Sequence, residues 1–85
     1  MIDVEITLNA RNKAKKYQVQ KKLDKQVEFL KDNPRHGSLN YKPMEALKDL
    51  GIWRFRLDKH YWALTRKNPN KLDSIEVYDV IIHPK

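Results

Sequence analysis

Eighty-five residues suffice for one small domain, and a chain of this length buries only a little over half of its unfolded surface, so its core must be thin. The absence of cysteine excludes a disulfide framework and thiolate metal sites, and no apolar run is long enough to cross a bilayer. Eighteen Lys and Arg against eleven Asp and Glu leave a net charge of +7, which favours a polyanionic or acidic partner, nucleic acid first.

The opening stretch MIDVEITLNA has neither a basic n-region nor an apolar h-region, so a soluble cytoplasmic protein is expected. Within it Ile2, Val4, Ile6 and Leu8 alternate with Asp3, Glu5 and Thr7, the period of a strand with one buried face. From Asn9 to Asp32 the residues are helix formers without Gly or Pro. Their apolar positions nevertheless form two stripes: Ala10, Ala14 and Tyr17 on one side, and Val19, Leu23, Val27 and Leu30 nearly opposite. One straight helix cannot bury both, so the pattern predicts a short helix over 10–16, a break near Tyr17 or Gln18, and a longer helix to about residue 32. Residues 11–32 hold eight Lys or Arg and three acids, which by itself reads as a solvated helix face.

DNPRHGSLNYKP, residues 32–43, is a loop by turn chemistry, and Pro34 ends the helix. A helical turn from Pro43 to Asp49 follows, with Pro at its first position and Gly51 just past its end. In the next strand Trp53, Phe55 and Leu57 point one way, toward a core, while Ile52, Arg54 and Arg56 point the other. LDKHY is short enough for a tight hairpin into a strand in which Tyr61, Ala63 and Thr65 alternate with His60, Trp62, Leu64 and Arg66. KNPNKLD makes a loop, and SIEVYDVIIH is a final, mostly buried strand. The order β-α-α-β-β-β predicts a single α+β domain over 1–85, with a four-stranded antiparallel or mixed sheet covered on one face by the helices.

LKDNPRHGSL followed by GIWRFRLDKHYWAL and a closing strand ending in histidine resembles the RelE/ParE superfamily of toxins from bacterial type II toxin-antitoxin modules, in particular its small ribonuclease branch. The resemblance covers nearly the whole chain and lies in the order of helix end, loop, arginine-bearing strand and tight turn. It implies a toxin that associates with the ribosome, cuts messenger RNA, inhibits translation and is held inactive by an acidic antitoxin protein.

Such cleavage uses the ribose 2′-hydroxyl as nucleophile, so the protein must take up its proton, donate one to the leaving 5′-oxygen and stabilise extra charge on phosphorus. Arg54 and Arg56, two apart on one strand, share a face, and guanidinium forks match phosphate oxygens bidentately. The competing reading gives them a solvent face or pairs them with Glu76 or Asp79. Histidine is the natural acid and base near neutrality, and the resemblance assigns proton transfer to His83, with His60 in the hairpin second and His36 in the loop third on residue type alone. A strand-end histidine satisfied by backbone is the alternative for His83. The resemblance also implies an RNA-positioning or catalytic role for Lys42, and Lys59, Arg66 and Lys85 could track phosphates. Tyr61 or Trp62 could stack an unpaired base or pack under the helices. Histidines at 36, 60 and 83 have no zinc spacing, so no metal and no cofactor is expected.

Two departures from the family pattern bear on activity. Tyr61 is followed by Trp62 where an arginine is usual, and the chain ends at HPK where many active relatives place a further tyrosine or arginine. The alternatives are a catalytically weak or silent homologue that binds nucleic acid or an antitoxin, and a gyrase inhibitor like the other branch of the superfamily.

Overall fold

The computed structural model describes residues 2–83, so Lys85 lies outside the described residues. Strand β1 (Asp3–Ile6) leads into helix α1 (Leu8–Lys16), whose N-cap Thr7 accepts from the Ala10 N–H through Oγ1 at 3.2 Å. The predicted break is real. Gln18 takes a left-handed φ of 59°, and the chain restarts as α2 (Gln20–Asp32) with its apolar stripe turned toward the sheet. Each half thereby buries its own residues: Ala10 and Ala14 in α1, and Leu23, Val27 and Leu30 in α2.

The sheet has five strands in the order β1-β5-β4-β3-β2. The expected four are joined by β2 (Lys42–Pro43), two residues pairing antiparallel with β3 (Trp53–Arg56) at the sheet edge. Pro43, expected to open a helical turn, instead occupies this edge, where a missing N–H costs no interior ladder bond. The turn itself is a 3-10 helix, Glu45–Leu50, capped by Gly51 at φ 71°. Strands β3, β4 (Tyr61–Lys67) and β5 (Ser74–Ile82) run antiparallel, and β1 lies parallel beside β5, so the sheet is mixed.

One face of this sheet meets the helices. Phe55, Leu57, Ala63, Val77 and Val80 pack with Leu23, Val27, Leu30 and Leu39 into a single core. At about 25 cal/mol per Å² of apolar surface, complete burial of Phe55 is worth roughly 2–3 kcal/mol, which makes it the anchor of β3. The buried Gln26 clamps the structure further: its Nε2 donates to the Ser38 carbonyl at 3.1 Å and to the Arg56 carbonyl at 2.6 Å, tying α2 to the 33–40 loop and to β3. No helix among the described residues is long and apolar enough to cross a membrane.

Candidate functional site

Strand alternation puts Arg54, Arg56 and Trp62 on the sheet face away from the helices, with Arg54 opposite Leu64 and Arg56 opposite Trp62 across the ladder. The backbone of Arg56 is held on both sides: its N–H donates to the Leu39 carbonyl at 2.7 Å, and its carbonyl accepts from Gln26. Its side chain is exposed and, among the described residues, makes no ion pair or side-chain hydrogen bond. A fixed backbone carrying a free guanidinium is a preorganised anion contact.

Arg54 is placed differently. It is half-buried, donates through Nη1 to the Asn40 carbonyl at 3.0 Å and lies 4.1 Å above the Trp62 ring. Neither arginine pairs with Glu76 or Asp79. Those acids are taken by Arg66, at 2.7 Å from Nε to Glu76 Oε1, and by Lys13, at 3.0 Å from Nζ to Asp79 Oδ1. Arg66, expected to track phosphate, therefore already has its anion and also covers the Tyr78 ring at 4.8 Å.

The hairpin tip and the end of β5 come together. The His83 N–H donates to the His60 carbonyl at 2.7 Å, so the two histidines face each other just beyond the ends of adjacent strands β5 and β4. His83 is exposed, and its ring meets Trp62 edge-on at 4.3 Å. Arg56, Lys59, Trp62, His83 and Asn40 line one open groove of about 280 Å³. His60 is exposed at the tip, with its N–H donating to Asp58 Oδ1 at 2.7 Å. Burial would raise the Asp58 carboxyl, but the Lys22 hydrogen bond and charge and the N–H groups of His60 and Tyr61 together hold it below the usual aspartate range.

The aromatic residues take three different positions. Tyr61, a candidate base contact, faces the helices and stacks on Tyr17 at 4.9 Å, plugging the break between α1 and α2. Trp53, expected in the core with Phe55 and Leu57, shares their face but keeps 38% of its surface exposed, since it lies outside the core cluster and, among the described residues, only Tyr41 stacks on it. Trp62 belongs to the arginine face. Lys42 is exposed on β2, opposite Arg54 in register.

Sequence reasoning passed over Lys25 and Ser38 and ranked His36 last of the histidines; these three, with Lys22 and Arg56, border a second groove, of about 540 Å³, between α2 and the 33–40 loop. His36 stacks on Phe29 at 4.1 Å and its Nδ1 lies 2.8 Å from Ser38 Oγ. The only local signal was the run of loop-forming residues around it. Arg56 is thus common to two basic grooves.

No family model matches the chain, and no curated protein matches it. Solved structures do match, among them a YoeB/ParE toxin from Agrobacterium tumefaciens, 18% identical, with a TM-score of 0.71 over 98% of this chain and 100% of that one. With two helices on one face of a mixed sheet and the arginine side chains of β3 on the other, the chain has the fold of that YoeB/ParE toxin.

Proposed function

We propose that this chain is the toxin of a type II toxin-antitoxin module and acts as an endoribonuclease on messenger RNA at the ribosome. The observation that carries the reading is the convergence of Arg56, Lys59, Trp62 and His83 on one groove of the helix-free face. In the proposed reaction the 2′-oxygen bonds to phosphorus, the bond from phosphorus to the 5′-oxygen breaks, and a 2′,3′-cyclic phosphate remains. Arg56 stabilises the charge that develops on the phosphoryl oxygens. His83 and His60, joined through their backbones, are the groups available to take the 2′ proton and return one to the 5′-oxygen. Arg54 positions: it holds the Asn40 carbonyl and supports Trp62, against which a base can lie. An acidic antitoxin would cover the same cations.

The test is expression of the wild type, Arg56→Ala and His83→Ala in bacteria, with primer extension on messenger RNA. Growth arrest with new, codon-phased 5′ ends in the wild type and their loss in both folded variants is the expected result. Loss of one transition-state contact costs about 100- to 1000-fold, so Arg56→Ala should fall below detection. Unchanged cutting by Arg56→Ala removes the assignment.

A second reading, a silent binding module, is favoured by Trp62: it stands where the family pattern has an arginine, and with Arg54 over its ring it supplies no phosphate contact of its own. Normal growth, intact RNA and salt-dependent RNA binding would establish that reading, whereas gyrase inhibition without RNA cleavage would move the chain to the other branch of the fold.

A further inference from the structure

Trp53 is a large aromatic that the core does not use. Tyr41 supports its ring at 4.9 Å and 37°, and Tyr41 is itself pinned, its hydroxyl 3.2 Å from Oγ1 of the buried Thr65. The indole is therefore held in place while 38% of Trp53 stays open to a groove of about 570 Å³. Arg35 and Lys42 line that groove, and among the described residues neither pairs with a carboxylate. A rigid open aromatic beside free cations is the combination that holds unpaired bases, the ring taking the base and the cations its phosphate.

The groove adjoins the arginine face at the sheet edge, where the two share one lining residue. Asn40 borders both this groove and the one formed by Arg56, Lys59, Trp62 and His83, and its left-handed backbone, φ 48°, turns the chain between them. Arg54 fixes that corner through the Asn40 carbonyl. Trp53 and Arg56 stand three residues apart on β3 and so project to opposite faces of the sheet, which means that a strand of RNA contacting both must turn around the β2 edge at Asn40.

We infer that the groove of Trp53, Tyr41, Arg35 and Lys42 binds an unpaired nucleobase and its adjoining phosphate on single-stranded RNA, flanking the nucleotide held at Arg56. The inference rests on the RNA reading above and adds a flanking subsite to it.

The probe is a uridine dodecamer methylated at every 2′-oxygen, which lacks the nucleophile and stays intact. In a Trp62→Phe background Trp53 is the sole tryptophan, and its emission should be quenched on addition of the oligonucleotide. By fluorescence anisotropy, Trp53→Ala should weaken binding about tenfold to a hundredfold, and Trp53→Phe by less than threefold. The surface double variant Arg35→Gln/Lys42→Gln should weaken it at least tenfold; it touches no core residue, so it decides the matter even where Trp53→Ala fails to fold. RNA binding that survives the double variant, leaves Trp53 emission unchanged and still depends on Arg56 would overturn the subsite while leaving the proposed function standing. No RNA binding by the wild type would overturn the subsite, while the primer-extension test above decides the proposed function on its own. Quenching by a glutamate-rich peptide but not by the oligonucleotide would overturn the inference and give the groove to a protein partner.

Discussion

Asp58 closes the hairpin that carries His60 and Lys59. Its Oδ1 accepts from the N–H groups of His60 and Tyr61 at 2.7 and 3.0 Å, and Lys22 of α2 reaches its Oδ2 at 2.6 Å, so one carboxylate fixes the turn and ties it to the helix. Because these contacts outweigh burial and depress the carboxyl, the unfolded chain binds the proton more readily than the folded one. The stabilisation is therefore present above the ordinary aspartate value of 3.8 and drains away as pH falls through the lower folded value. Asp58→Asn should cost about 1 kcal/mol in urea unfolding at pH 7. It should also show a flatter loss of stability below pH 4 than the wild type; an equally steep one would place the acid sensitivity elsewhere. Gln26 does comparable work inside. Gln26→Met keeps the volume but strands the Ser38 and Arg56 carbonyls, at a cost of about 2 kcal/mol by the same measurement. Faster amide exchange at Leu39 and Arg56 should accompany it.

At the scale of elements, the turns show which features a sequence can announce. Gly51 ends the 3-10 helix at φ 71°, and a Cβ there would meet nothing within 4 Å. Gly51→Ala should thus cost only the backbone penalty, about 1 kcal/mol in thermal or urea unfolding, and a much larger loss would reveal a contact that the geometry lacks. The helix break was legible because two apolar stripes pointed opposite ways, and the arginine face because alternation on β3 is local. Strand β2 was not: two residues, one of them Pro43, carry no period. Nor was the parallel pairing of β1 with β5, since register between Asp3 and Ser74 is a matter of long-range packing. Trp53 had the right face and the wrong exposure, because coverage of that face depends on where α2 ends and how the 33–40 loop folds over it. In the site, alternation paired Arg54 with Arg56, but only tertiary structure separates the free guanidinium from the one held by Asn40 and Trp62.

Across the whole molecule, the charge excess is less uniform than composition implies. The ion pairs consume Asp58, Glu76 and Asp79 with Lys22, Arg66 and Lys13, and on β1 Lys71 is caught between Asp3 and Glu5. Around the loop, β3 and the hairpin, Arg35, Lys42, Arg56 and Lys59 have no such partners among the described residues and line the two grooves that meet at Asn40, so polyanion binding should concentrate there. Single-stranded nucleic acid releases counterions with a slope of about −0.7 per phosphate contact in a plot of log affinity against log salt. Four contacts then predict a slope near −3 for the methylated dodecamer. Replacing any one of the four by Gln should reduce its magnitude by about 0.7, with a similar loss of affinity for every base composition tested. Lys71→Gln, at the opposite edge of the sheet, should leave the slope unchanged. If Lys71→Gln changed it as much as Arg56→Gln, binding would follow total charge rather than this face, and the geometric argument for a defined RNA path around the β2 edge would fail.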